Sequence, residues 1–193
     1  MKEQPTVILR ITPFRQIRSL FFVLFLIGFV IIIIQYTGGI DLSNTPERDF
    51  REKLLFVSIF AAIFSLLVLP ILFLHIDYLI RNRNEEYEIR DKTIIRRKSG
   101  IETFYGSKDI DDIYLYQPKG EFSLASKRLP WEHYHFVKIL MKSGEVLYLT
   151  SLLYPSGLEK ILKSHIKVSY WTETRWFPTT LKTSSYERQD ASR

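Results

Sequence analysis

The sequence contains no cysteine, and its 193 residues include only four histidines and eight glycines. Without cysteine the chain can form no disulfide and no cysteine-ligated metal site, and this absence fits a reducing compartment. The glycines are scattered, so no Gly-rich phosphate loop is recognisable, and neither is a Ser/His/Asp set or an activated nucleophile. We therefore expect a protein that is not an enzyme and that uses no cofactor.

Charge is absent from two long stretches near the N-terminus. Residues 20–36 have no charged side chain in 17 positions, and residues 54–76 have none in 23. Each stretch is about as long as a helix that crosses a hydrocarbon core of about 30 Å, and a helix satisfies its own backbone hydrogen bonds in lipid. Two core helices of a soluble protein are the alternative, but such helices would show a polar face. The sequence therefore predicts a transmembrane hairpin over 20–76, with an outer loop at 37–53.

The distribution of Lys and Arg predicts the orientation of this hairpin. Eleven basic residues lie in the flanking segments 1–19 and 77–98, whereas the loop at 37–53 has three basic and four acidic residues. Because basic flanks resist translocation, both termini are predicted to lie in the cytoplasm. The lipid bilayer is thus the first predicted partner.

Four parts follow from this pattern: a basic arm at 1–19, the hairpin, a cytoplasmic domain at 77–167 and a tail at 168–193. The arm contains TVILRITP at 6–13, which is either a strand of the cytoplasmic sheet or an interfacial stretch. Strand patterns separated by turn signals follow at 86–90, 93–97, 101–105, 112–117, 133–141 and 145–150. The segment PSGLEKILKSHI then predicts a short amphipathic helix with one apolar side, formed by Leu158, Ile161, Leu162 and His165.

Three stretches in this order carry a family resemblance: EYEIRDKTIIRRKSGIETF, SKDIDDIYLY and HFVKILMKSGEVLYLTSLL, followed by the helix. Together they resemble the pleckstrin-homology-like (PH-like) domains that follow a pair of transmembrane helices in many small bacterial membrane proteins, over about residues 85–165. The resemblance implies a membrane α plus mostly-β chain, in which a two-helix hairpin precedes a small PH-like bent sheet or barrel of seven strands, capped by a C-terminal helix. It also implies a bacterial inner-membrane location and a scaffold that binds peptides, lipids or other domains.

Two histidines stand one residue apart in RLPWEHYHFVKILMKSGEVLYLT, residues 128–150. On a strand, His133 and His135 would point to one face and could hold a metal ion together with Glu132 or His165. Val137, Ile139 and Met141 continue that face, however, so a strand that enters the core is the favoured interpretation. Trp131, Tyr134 and Phe136 would then supply packing surface.

A basic collar follows the second helix, formed by Arg81, Arg83, Arg96, Arg97 and Lys98. Its members could contact anionic lipid headgroups, since each Lys or Arg near the surface contributes on the order of 1 kcal/mol. The alternative is a purely topological role, because basic residues at this position hold the domain inside and four nearby acidic residues dilute the patch.

The tail combines aromatic residues with Thr, Ser and charges, and its last dozen residues are predicted to be disordered. Three aromatic residues in the tail would expose more apolar surface than is usual for a solvated segment; they are Trp171, Trp176 and Phe177. We therefore predict that they dock onto the domain, the membrane interface or a protein partner.

Two functions are compatible with these features. The first is an inner-membrane protein whose PH-like domain is a binding or assembly module for a protein or lipid partner, with the hairpin as anchor and oligomerisation surface. The second is an anti-phage effector that senses a cyclic nucleotide, oligomerises and disrupts the membrane. Nucleic acid is not an expected partner, because residues 77–193 hold 20 basic and 16 acidic residues, a modest excess.

Overall fold

The computed structural model describes residues 6–36, 47–118, 131–154 and 157–181. The chain forms two compact units: residues 20–73 are one, and residues 1–19 together with residues 74–193 are the other. The outer part of the predicted loop, residues 37–46, and the last twelve residues of the predicted tail lie outside the described residues.

The unit at 20–73 contains the larger part of two long helices, α1 (Pro13–Tyr36) and α2 (Glu47–Asn82). By length and composition they could cross a membrane, over Pro13–Ile32 and Val57–Asn82. Large apolar side chains of this unit face outward; Phe21 is 66% exposed and Leu66 is 71% exposed. Such surface suits a hydrocarbon surrounding, in which an all-round apolar helix is stable.

The two predicted helices are confirmed, and both are longer than predicted. α1 begins at Pro13 rather than at residue 20, and α2 covers residues 47–53, which were predicted as loop, and continues to Asn82. The start of α1 has a local cause. The Thr12 side-chain oxygen accepts a hydrogen bond from the Arg15 N–H at 3.3 Å, and Pro13 occupies the first helical position, where its missing N–H costs nothing.

Replacing Thr12 with alanine is expected to lower the free energy of unfolding by about 1 kcal/mol, because the capping oxygen is removed. Thermal unfolding of the full-length protein in detergent micelles measures the change. Thr12→Ser keeps the hydroxyl and should unfold close to the parent. An equal loss in both variants would contradict the capping role.

The first sheet contains four antiparallel strands in the order β1-β2-β3-β4. They are β1 (Val7–Arg10), β2 (Glu85–Arg90), β3 (Thr93–Lys98) and β4 (Ile101–Gly106). TVILRITP therefore supplies a strand of the sheet, because Val7 pairs with Ile89 and Arg10 with Glu86. The chain enters this sheet before the helical hairpin and returns to it immediately afterwards.

The second sheet has the order β7-β6-β5-β8. A short 3₁₀ helix, Ser107–Asp109, leads into β5 (Ile110–Pro118), which pairs antiparallel with β6 (Phe136–Met141); β6 pairs in turn with β7 (Val146–Thr150). After α3 (Leu158–His165), the chain forms β8 (Ser169–Arg175), which lies parallel to β5. The described strands are thus eight in two sheets, rather than the seven that the resemblance implied, and they do not close into a barrel.

Side chains from both sheets and from α3 form the main hydrophobic core. Leu9, Ile89 and Ile94 come from the first sheet, and Ile113 and Ile139 come from the second. Val137 and Met141 share the buried face of β6, as predicted. The apolar side of α3 is also confirmed, with three buried residues and a partly buried Ile161; the buried ones are Leu158, Leu162 and His165.

A second cluster is aromatic and includes the end of α2. The Tyr78 ring lies 5.4 Å from that of Tyr134 and 6.1 Å from that of Phe136, and Phe136 stacks on Tyr116 at 4.5 Å. All four side chains are fully buried. The predicted packing role of Tyr134 and Phe136 is therefore confirmed, and the last turns of α2 belong to the same compact unit as the sheets.

Candidate functional site

An open cleft of about 650 Å³ lies in the unit that contains the sheets. Four short segments line it: the junction of β1 with α1, the last turn of α2, the start of β2 and the turn between β3 and β4. The lining residues are Arg10, Ile11, Gln16, Leu79, Asn82, Arg83, Asn84, Glu85, Glu86, Arg97, Ser99 and Gly100. Strand pairing brings these segments together, because Arg10 lies opposite Glu86, which in turn lies opposite Arg97.

Local backbone geometry shapes the rim of the cleft. Ser99 and Gly100 form the two-residue turn between β3 and β4, with φ angles of 50° and 81°. Positive φ at both central positions is the requirement of a tight hairpin whose twist matches its strands. Asn84, between α2 and β2, also has a left-handed conformation with a φ of 61°, which an asparagine tolerates better than most residues do.

Three arginines line the cleft, and Arg10 and Arg83 differ from Arg97 in their ion pairing. Within the part of the chain that the structure describes, no ion pair involves Arg10 or Arg83, and both are exposed. Arg97 instead contacts Glu102 at 2.7 Å, Glu88 at 2.8 Å and Glu86 at 3.1 Å, and its hydrogen bonds to Glu102 and Glu86 raise its pKa. The positive charge that a ligand could engage is therefore that of Arg10 and Arg83.

Glu85 is the buried acidic centre of the cleft wall. Its carboxylate accepts hydrogen bonds from Arg96 at 2.5 Å, Tyr87 at 2.6 Å and Lys98 at 2.8 Å. Burial alone would raise the pKa of Glu85, but these three donors stabilise the charged form and lower the pKa below its usual value. Burial and the same hydrogen bond raise the pKa of Tyr87.

The basic collar is thus dispersed in the structure. Arg96, Arg97 and Lys98 lie on β3, and their charges pair with glutamates of neighbouring strands. At the end of α2, Arg81 donates to the Thr180 hydroxyl at 3.0 Å and lies over the Tyr148 ring at 4.7 Å. Of the five predicted residues, two line the cleft, Arg83 and Arg97. Arg10 was missed, because nothing in the sequence shows that the arm pairs with the strand after the hairpin.

A model of the family described as PH domain matches residues 8–159 of the chain. The chain belongs to the PH domain family. The match begins in β1 and ends in α3, so the helical hairpin lies within the PH domain, between its first two strands. Searches among curated proteins and among solved structures found no match.

His133 and His135 precede β6 instead of lying on it. His133 Nε2 is 3.2 Å from the Ser19 carbonyl oxygen, and His135 Nδ1 is 3.1 Å from the carbonyl oxygen of His133. Among the described residues, no group of three His, Cys, Asp or Glu side chains could hold a metal ion. The imidazoles therefore contact backbone rather than a set of metal ligands.

Part of the predicted tail is bound to the end of α2. Asp77 accepts hydrogen bonds from the Thr180 hydroxyl at 2.6 Å, the Thr180 N–H at 2.8 Å and the Thr179 hydroxyl at 3.0 Å. The three predicted aromatic residues are placed differently: Trp171 and Trp176 are exposed, whereas Phe177 is half-buried beside Trp131, with ring centroids 6.4 Å apart. The tail thus packs against the PH domain and keeps two indoles on the surface.

Proposed function

We propose that this protein is a non-enzymatic, membrane-anchored binding module whose PH domain takes the phosphate of an anionic lipid headgroup in the cleft. The observation that carries the proposal is the position of Arg10 and Arg83. Arg10 is the last residue of β1 and lies three positions before the start of α1, and Arg83 directly follows α2. If these helices cross a bilayer, both guanidinium groups lie at headgroup level, where cations are attracted to anionic lipids.

The pairing of β1 with β2 supports a membrane topology with both ends of the hairpin on one side. Residues 7–10 pair with residues 86–89, which favours a chain that leaves one side of the bilayer and returns to the same side. The excess of basic residues in the flanks supports a cytoplasmic location for that side, and the proposed location is the inner membrane of a bacterium.

The residues that line the cleft favour a lipid headgroup over a cyclic nucleotide as the ligand. None of the described lining residues is aromatic, whereas base recognition commonly uses a stacking ring. A cyclic-nucleotide effector remains the alternative prediction. Size-exclusion chromatography of the full-length protein with and without cyclic dinucleotides tests it, and mass spectrometry of the same fractions reveals a protein partner or a homo-oligomer.

Replacing both Arg10 and Arg83 with alanine is expected to weaken anionic-lipid binding about 30-fold, since two cationic contacts of about 1 kcal/mol each are lost. Lipid titration of the full-length protein in mild detergent, followed by native mass spectrometry, compares phosphatidylglycerol with phosphatidylcholine. Titration with inorganic phosphate in the same detergent shows whether the phosphate ion alone suffices.

Lys108→Ala/Lys167→Ala is the matched control, because it removes two exposed lysines that do not line the cleft. This variant should bind phosphatidylglycerol like the parent. If both double variants lose the same affinity, the lipid responds to net charge and the cleft is not its site.

A further inference from the structure

The segment at 176–181 is fixed to the last two turns of α2. Tyr78 donates its hydroxyl hydrogen to the Pro178 carbonyl oxygen at 2.7 Å, and Asp77 accepts three hydrogen bonds from Thr179 and Thr180. Pro178, Thr179 and Thr180 are buried. Several polar atoms of this segment thus face inwards and bond to the helix, and the Trp176 carbonyl oxygen accepts a hydrogen bond from the Trp131 indole N–H at 3.3 Å.

The same segment turns large apolar side chains outwards. Trp176 is 66% exposed and Leu181 is 59% exposed, and they flank the three buried residues. On the turns of α2 that hold the segment, Ile76 is 54% exposed and Ile80 is 71% exposed, and their spacing puts them on one helix face. A segment in water would normally have the opposite arrangement, with polar groups outside.

We propose that residues 176–181 form an interfacial anchor, in which Trp176 and Leu181 enter the boundary between lipid headgroups and acyl chains beside the end of α2. This inference rests on the proposed membrane anchoring. The charge-free run of α2 ends at Ile76, so Asp77 and the segment bound to it lie where the helix leaves the hydrocarbon. An indole suits this level, because its ring is apolar and its N–H can be hydrated.

Charge complementarity favours a lipid surface over a protein partner. Arg81, which donates to Thr180, lies in the last turn of α2, and Arg83 directly follows the helix; both are exposed. Tryptophan side chains are enriched at the bilayer interface. The cytoplasmic surface of the bilayer is anionic and attracts arginine. Exposed tryptophan, apolar side chains and arginine at the end of a membrane helix therefore suit this interface.

Tryptophan quenching by brominated lipid tests the anchor. Full-length Trp131→Phe/Trp171→Phe keeps Trp176 as its one tryptophan, and Trp131→Phe/Trp176→Phe keeps Trp171 as the matched control. Trp171 is also exposed, at 57%, but it lies five residues before Trp176, which is about 16 Å along an extended chain. Both variants are reconstituted into phosphatidylglycerol vesicles with or without phosphatidylcholine brominated near the headgroup end of its acyl chains.

We expect brominated lipid to reduce the fluorescence of Trp176 about twofold and to leave that of Trp171 nearly unchanged. Alkaline carbonate extraction of the same vesicles reports whether the protein is anchored at all. If the protein stays with the vesicles and Trp176 is unquenched, or if both tryptophans are quenched equally, the interfacial anchor is wrong and the proposed membrane anchoring stands. If carbonate releases the protein, the proposed membrane anchoring fails, and the anchor fails with it.

Discussion

Replacing Glu85 with alanine is expected to lower the free energy of unfolding of the PH domain by about 3 kcal/mol, because a buried ion pair loses one partner. The Glu85 side chain is only 4% exposed and accepts hydrogen bonds from Tyr87, Arg96 and Lys98. Its removal leaves the buried Tyr87 hydroxyl without this acceptor. Arg96 is affected less, because it also contacts Glu145 at 2.9 Å.

Thermal unfolding of the full-length protein in detergent measures this loss. Glu102→Ala is the control, because Glu102 also pairs with an arginine of β3, but its side chain is 47% exposed and surface pairs contribute little. A loss for Glu85→Ala that does not exceed that of Glu102→Ala would show that burial of the network does not matter for stability.

The lowered pKa of Glu85 adds a dependence on pH. A carboxyl group whose pKa is lower in the folded state contributes stability above its unfolded pKa of about 4.3, and this contribution is lost as the pH falls through the folded pKa. Glu85→Gln cannot ionise. The difference in melting temperature between the parent and Glu85→Gln should therefore narrow between pH 7 and pH 3, and a constant difference would contradict the role of the charge.

Replacing Asp77 with alanine is expected to detach the segment at 176–181 from α2. Three hydrogen bonds from Thr179 and Thr180 lose their acceptor, and bonds to a charged group contribute about 1.5–3 kcal/mol each when measured singly. Because bonds on one carboxylate are not additive, we expect a total loss of about 3 kcal/mol. This corresponds to an increase of roughly 100-fold in hydrogen exchange at the Thr180 amide.

Hydrogen–deuterium exchange with mass spectrometry of the full-length protein measures this change. Asp112→Ala is the matched control, since Asp112 accepts a hydrogen bond from the indole N–H of Trp171 at 3.0 Å and does not contact the segment. Exchange at 176–181 should be unchanged in this control. Unchanged exchange in Asp77→Ala would mean that the remaining bonds of Tyr78 and Arg81 suffice to hold the segment.

The sequence alone predicted the elements whose patterns are local. The two charge-free runs identified the helices, and the spacing of Leu158, Ile161 and Leu162 identified α3. The helix boundaries were less accurate, because they depend on caps such as Thr12 and on tertiary contacts of the α2 end, which a hydropathy pattern does not contain. β8 was missed because it is an exposed edge strand, so neither alternation nor a buried face marks it.

The candidate site was predictable only in part, because its charges depend on long-range pairing. The sequence showed Arg96, Arg97 and Lys98 as a basic cluster, and only the register of β2 with β3 reveals that glutamates pair with them. Conversely, the sequence left open whether the arm that contains Arg10 is a strand or an interfacial stretch. Only the pairing of Arg10 with Glu86 shows that this residue lies at the cleft.

If the hairpin crosses a membrane as proposed, its position between β1 and β2 makes membrane insertion a condition for folding. Val7 pairs with Ile89, so the edge strand of the first sheet is synthesised long before its partner. If only one of the two helices crosses the bilayer, β1 and β2 end on opposite sides and cannot meet, and the core loses Leu9. A chain with the wrong topology would thus display an incomplete sheet to cellular proteases, whereas a correctly inserted chain would hide it.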